Sequence, residues 1–180
     1  MKSLRSEFRT QRLHCRAASP ADAERVRAAA NESLAQLTPW LPWARQAQTA
    51  EQAAAYAAEC AAGFAAGTLF DFNAYDLQTG DFVCKLAAWP VSGGPEVFEI
   101  GYWCVTRRAG HGYTGEAVEG LMRWALAELG IARFRIRLDE GNARSRRLAE
   151  RLGFARVHQS TKSFFGEERC ELVYERQVLA

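Results

Sequence analysis

With 180 residues, 48% of them hydrophobic and 24% charged, the chain has the composition of an ordinary soluble globular protein. A chain of this size buries roughly 70% of the surface its unfolded form exposes, so a single domain over 1–180 is expected. The net charge of +2 arises from interspersed acids and bases, which argues against a polyanion-binding protein, and no direct nucleic-acid contact is expected.

Five cysteines (Cys15, Cys60, Cys84, Cys104, Cys170) are scattered without CxxC spacing, against a disulfide framework or a zinc site and for a reducing, cytoplasmic compartment. The opening MKSLRSEFRTQRL contains no apolar signal segment, and no later apolar run is long enough to span a bilayer.

Residues 12–17 alternate polar and apolar and read as a first strand. Ser19-Pro20, with Asp22 behind it, opens a helix that runs to about residue 34. TPWLPWA (38–44) ends it, because two prolines in so short a span cannot continue a helix. Thr49 with Gln52 forms a capping-box pattern at the head of a helix over 50–65. Strands over 69–75 and 81–89 flank the turn Gln78-Thr79-Gly80, and a loop with Gly93-Gly94 follows over 90–95.

The next stretch is the most informative: a strand over 97–105, a basic turn with Arg107 and Arg108, then GHGYTGEA. Gly110, Gly112 and Gly115 remove side chains from a turn whose N–H groups lie at a helix N-terminus. Orphan donors and the helix dipole both favour an anion there, so the turn reads as a phosphate site. The helix behind it shows Ala117, Leu121, Trp124, Ala125 and Leu129 at helical spacing and ends at Gly130. A strand over 132–138, a helix from Asn142 to Leu152-Gly153, and strands near 154–161 and 168–178 complete the chain.

Taken literally, Gly110-His111-Gly112-Tyr113-Thr114-Gly115 also matches the GxGxxG dinucleotide fingerprint, with Asp139 after a later strand as a ribose ligand. The context disagrees: a hairpin and two helices precede the turn, and too little chain follows to complete a nucleotide-binding sheet.

The run EIGYW (99–103), the turn AGHGYTGEA (109–117) and NARSRRLAERLGF (142–154) together resemble the GNAT superfamily of acetyl-CoA-dependent N-acetyltransferases. TQRLHCR (10–16), TPWLPWA (38–44) and TGDFV (79–83) are similar to its ribosomal-protein alanine N-acetyltransferase, RimJ/RimL-like, group, and the resemblance runs from about Thr10 to Tyr174. It implies an α/β GNAT fold: a single mixed, mainly antiparallel twisted sheet with a central splay between two strands, flanked by about four helices.

The resemblance also implies acetyl-CoA as cofactor and an amine acceptor: a peptide N-terminus, a polyamine or a small amine. A non-catalytic acyl-CoA or nucleotide-binding module is the alternative, and a monomer or homodimer is expected. The family holds pyrophosphate on the glycine turn. In the register anchored by EIGYW and Glu116-Ala117, its Gln/Arg position falls on Ala109 and its last small residue on Thr114. The cradle is then Ala109, Gly110, His111, Gly112, Tyr113 and Thr114, with Arg108 as the neighbour that supplies the missing charge.

Acetyl transfer to an amine requires a deprotonated nucleophile, a stabilised oxyanion and an accommodated thiolate. By resemblance, backbone groups at Cys104 and Val105 pair with the pantetheine arm. Asn142 and Ser145 match N-x-x-S positions near the sulfur, where both residues would also serve as helix caps. Many family members place a tyrosine four residues after Ser145; here it is Ala149, so Ser145 becomes the candidate acid. Glu99 shares a strand face with Gly101 and Trp103 and is the candidate base, with an ion pair to a neighbouring arginine as the competing role. Trp40 and Trp43 are candidate acceptor-binding residues, with Phe164 and Phe165 on an opposite wall.

Overall fold

The computed structural model describes residues 4–91 and 96–178. Strands β1 (Glu7–Arg9), β2 (Leu13–Ala17), β3 (Phe70–Asp76), β4 (Phe82–Pro90), β5 (Val97–Cys104), β6 (Arg133–Asp139), β7 (Ala155–Phe164) and β8 (Glu167–Gln177) form one sheet in the order β1-β2-β3-β4-β5-β6-β8-β7. Every neighbouring pair is antiparallel except β5 and β6. Helices α1 (Ala23–Glu32), α2 (Leu34–Leu37), α3 (Ala50–Ala66), α4 (Tyr113–Leu129) and α5 (Ala143–Arg151) pack around it.

Alternation decides what each strand buries. Phe70 and Phe72 on β3, Leu86 and Ala88 on β4, Phe98 and Ile100 on β5, and Phe134, Ile136 and Leu138 on β6 all enter one apolar core. Val118, Leu121, Met122, Trp124 and Ala125 of α4, with Leu148 and Ala149 of α5, complete that core. The other face carries Tyr75, Phe82, Trp103 and Val105 against Ala29, Ala30, Leu37 and Ala44. Beneath α3 it also holds a buried ion pair, Lys85 Nζ to Asp71 Oδ1 at 2.6 Å, joined by Asn73 and the Tyr56 hydroxyl.

The glycines mark where elements must touch. A Cβ on Gly120 of α4 would come within 2.7 Å of Phe8 and Thr10, so its absence admits the β1–β2 hairpin to the helix. That hairpin is further tied to α4 by Trp124 Nε1 donating to the Arg5 carbonyl at 2.9 Å.

Several expectations change in detail. The first helix does not run unbroken to 34. Pro20–Asp22 is a 3₁₀ turn, and the chain breaks at Ser33 between α1 and α2. Ser33 is fully buried and its hydroxyl accepts the Thr106 N–H at 3.1 Å, which ties the break to the basic turn after β5 and gives five α-helices rather than about four. β1 is too short to show alternation in sequence. β7 extends to Phe164, beyond the expected 161. Of the loop at 90–95, Pro90 belongs to β4 and 92–95 lie outside the described residues.

Candidate active site

The central gap opens where the parallel pairing stops. β5 and β6 are in register only at Val97↔Arg133, Phe98↔Phe134 and Glu99↔Arg135; beyond these the strands part. The ladder with β4 fixes which groups face the gap. Val105 N–H donates to the Val83 carbonyl at 3.0 Å, so residues 99, 101 and 103 likewise turn their backbone toward β4. Tyr102 and Cys104 therefore point their N–H and C=O groups into the gap. On the far side, Glu140 N–H donates to Cys170 C=O, and the same parity turns the backbone of Arg137 and Asp139 toward β5. Beyond Glu99 and Arg135 the two strands no longer pair with each other across the gap.

Val105 is accordingly not the backbone contact expected of it. Its N–H is bonded to Val83 and its carbonyl accepts from Arg108 N–H at 3.1 Å. The backbone groups that face the gap are those of Tyr102 and Cys104. The Cys104 thiol points to the core, and burial raises its pKa above the ordinary value, so it is a packing group and a poor nucleophile.

At the end of β5 the chain makes a 3₁₀ turn, Thr106–Arg108, and enters the glycine turn. Gly110 and Gly112 have φ of +86° and +80°, conformations that strain any residue with a side chain. Ala109 N–H is used by the Thr106 carbonyl, so the free donors begin one residue later than expected. Among the described residues, none of the N–H groups of 110–115 is hydrogen-bonded, and they surround the N-terminus of α4. A side chain on Gly110 would meet only open space, so the unbonded donors of the turn lie at an exposed surface.

Arg108 does not supply the missing charge. Its guanidinium is held by Asp81 Oδ2 at 2.8 Å and lies 3.7 Å from Asp76 Oδ2, so its charge is already compensated on the β3–β4 hairpin. Arg12, from the β1–β2 turn, bonds to the His111 carbonyl and stacks over Tyr113, with its own charge paired to Glu116 at 2.6 Å. Nothing local in the sequence connects position 12 to position 111.

Asn142 caps α5, its side-chain oxygen accepting from Ser145 N–H at 3.1 Å. Ser145 does more than cap: its hydroxyl meets the Tyr102 hydroxyl at 2.8 Å, bridging the two sides of the gap. Burial pushes the Tyr102 phenol up to about 12, so it is protonated at neutral pH. Gln36 of α2 spans the same region, donating to the Cys104 carbonyl and accepting from Arg144.

On the opposite face, Glu99 Oε2 is bonded to Arg137 Nε at 2.7 Å, and Arg137 also reaches Glu171 at 3.3 Å. The competing ion-pair role is thus present. Beside it, Gly101 is small because the Trp89 ring lies over it, 3.0 Å from where a Cβ would stand. Trp43 packs on Trp103 with ring centroids 5.8 Å apart, and the Trp40 ring lies 3.7 Å from the Cβ position of Gly141, next to the α5 cap. Arg45 sits over the Phe165 ring, Arg169 over Phe164, and Arg169 also donates to the Pro39 carbonyl. The tryptophan loop and the β7–β8 hairpin are thereby brought together.

The sheet is not doubly wound, and the dinucleotide interpretation of GxGxxG fails on that ground. Asp139 instead accepts the Gly141 N–H at 2.8 Å. A split parallel pair in an antiparallel sheet, with an anion-ready glycine turn at its mouth, is the architecture of an acyl-CoA-type transferase. Residues 12–155 match the acetyltransferase (GNAT) domain, and the chain belongs to that family. It is 31% identical over 105 residues to the uncharacterized protein YkkB of Bacillus subtilis (strain 168), a match covering 58% of this chain and 59% of YkkB.

Among solved structures, RimL, a ribosomal L7/L12 alpha-N-protein acetyltransferase in complex with coenzyme A, superposes with a TM-score of 0.86 at 18% identity, covering 94% of this chain and 96% of that one. The microcin C7 self-immunity acetyltransferase MccE, in complex with acetyl-CoA and AMP, superposes at 0.85 with 15% identity and 93% coverage of both chains. Identities this low establish the shared fold. No described helix is long and apolar enough to cross a membrane.

Proposed function

We propose that this chain binds acetyl-CoA and transfers the acetyl group directly to a primary amine. The observation that carries the reading is the pair of unpaired donor sets at the two ends of one turn: the N–H groups of 110–115 at the α4 N-terminus, and the β5 edge at Tyr102 and Cys104. A pyrophosphate joined to an arm of two amides matches them in kind. The glycine turn fits the phosphates, the open strand edge fits the amides, and Asn142 with Ser145 closes the far side.

Acetyl-CoA supplies an activated acetyl thioester. The N–H groups of Tyr102 and Cys104 are the donors available to polarise its carbonyl. As the carbon–sulfur bond breaks and the carbon–nitrogen bond forms, the sulfur needs a proton and the amine must lose one. Tyr102 and Ser145, hydrogen-bonded and neutral, supply the first. Glu99 receives the second, directly or through water; its Oε1 has no partner among the described residues, whereas Oε2 is held by Arg137.

Trp40 beside Gly141, Trp43 on Trp103 and Trp89 over Gly101 support an acceptor whose amine-bearing end is presented beside flat, electron-rich faces. Such an amine is found on a peptide N-terminus, a polyamine or a small amine, and the presence of protein N-terminal acetyltransferases among the structural neighbours favours testing peptides first. Thiol release from acetyl-CoA, measured across peptides, polyamines and small amines, tests the proposal. Amine-dependent release is expected. Binding without release for any amine would leave a non-catalytic acyl-CoA module, and preference for NADH over coenzyme A in a thermal-shift comparison would overturn both.

A further inference from the structure

The phosphate turn is gripped from behind by a single side chain of the N-terminal hairpin. Glu116, in the first turn of α4, places a carboxylate where an incoming anion would meet it as a like charge. Both of its oxygens are occupied. Oε1 accepts from the Thr10 hydroxyl at 2.5 Å and the Arg12 N–H at 2.7 Å, and Oε2 accepts from Arg12 Nε at 2.6 Å.

With Nε committed, the planar guanidinium has one orientation left. It lies over the Tyr113 ring, 4.2 Å from its centroid, and Nη1 donates to the His111 carbonyl at 3.1 Å. That last bond has a geometric consequence. The peptide joining His111 to Gly112 is planar and trans, so drawing its oxygen toward Arg12 sends the Gly112 N–H to the opposite side. The Gly112 N–H is itself one of the unbonded donors of the turn.

We infer that Arg12 is a positioning residue for the glycine turn: it neutralises Glu116 and aims the Gly112 N–H at the bound phosphate. Thr10 and Glu116 are its fixed points. The inference rests on the acetyl-CoA reading and adds to it a residue of TQRLHCR to which that reading assigned no role. Lysine cannot substitute, because one ammonium cannot hold the carboxylate and the carbonyl in a fixed plane as a guanidinium does.

The test compares acetyl-CoA with acetyl-pantetheine, which keeps the thioester arm and lacks the pyrophosphate. Arg12→Lys and Arg12→Ala should weaken acetyl-CoA binding at least tenfold while kcat at saturation stays within about twofold. Their kcat/KM for acetyl-pantetheine should match wild type. Adding Glu116→Gln to Arg12→Ala should recover part of the lost affinity, since an uncompensated carboxylate is then removed. Unchanged acetyl-CoA affinity in both single variants would overturn the inference, and so would equal losses with the two donors, which mark a general defect. Should Arg12→Ala fail to fold, Arg12→Lys still decides it, because its main-chain N–H and Thr10 keep hold of Glu116. A wild type that handles both donors equally well would instead defeat the pyrophosphate reading itself.

Discussion

Burial raises the Tyr102 phenol to about 12, and its hydrogen bond to Ser145 connects that hydroxyl to the α5 side of the gap. Ser145→Ala should therefore lower kcat by about tenfold or more while acetyl-CoA affinity stays nearly constant, the pattern of an interaction made in the transition state. Tyr102→Phe should do the same, and the double variant should be little worse than the poorer single one, since the two hydroxyls act as a unit. Unchanged kcat with a lowered melting temperature would reduce Ser145 to a helix residue. The serine was legible from its N-x-x-S spacing. Its partner was not, because the contact spans 43 positions and exists only where β5 and β6 diverge.

Glu99 is a sharper case. Its alternation with Gly101 and Trp103 was readable, and so was the competing ion pair, but only the structure identifies Arg137 as the partner. If Glu99 accepts the amine proton, Glu99→Gln should cut kcat roughly 10²-fold with acetyl-CoA binding kept. If it serves Arg137 alone, turnover should survive. Steady-state rates at saturating acetyl-CoA separate the two outcomes.

At the level of elements, the long helices and strands were legible because their periodicity and caps agree: the Thr49–Gln52 capping box forms as expected, and Gly130 ends α4 in a left-handed conformation. What the sequence concealed are joints between elements. The break at Ser33 serves a contact with Thr106, and β1, three residues long, is held by α4 rather than by its own pattern. The joint between the β1–β2 turn and α4 titrates. Desolvation pushes Glu116 upward, but the Thr10 hydroxyl, the Arg12 N–H and the Arg12 guanidinium outweigh it and hold the carboxyl below its ordinary 4.5.

A depressed carboxylate stabilises the fold above its unfolded pKa, and that contribution disappears as pH falls through the folded value. The joint should thus be fully stabilising above about pH 5 and lost progressively below about pH 4.5. Glu116→Gln should be less stable than wild type at neutral pH and should show a flatter acid limb in denaturant midpoints. Parallel acid limbs for the two proteins would show that Glu116 contributes no pH-dependent stability.

Across the whole molecule, the sheet separates two tasks. One face, under α4 and α5, is a continuous apolar core that fixes the glycine turn and the Ser145 helix relative to each other. The other carries the charged and aromatic side chains of the proposed acceptor side: Trp89, Glu99, Trp103 and Arg137, bordered by the tryptophan loop and the β7–β8 hairpin. Trp43 also lines an open groove of 610 Å³ with Pro42, Arg45 and Gln52. The family and the order of elements were legible because several motifs recur along almost the whole chain. The contact of Arg12 with the glycine turn was not, since adjacency in sequence favoured Arg108 and the folded chain commits that side chain to Asp81.

The claim on which the rest depends is that the glycine turn holds the pyrophosphate of acetyl-CoA. Gly112→Asp introduces a carboxylate at the N-cap of α4, at a φ of +80°, where open backbone donors would otherwise meet the phosphates. Calorimetric titration of acetyl-CoA into wild type and the folded variant is the direct measurement. Expected are one site per chain in the wild type and an affinity at least tenfold weaker in the variant, about 1.4 kcal/mol. Equal affinities in two equally folded proteins would contradict the phosphate cradle.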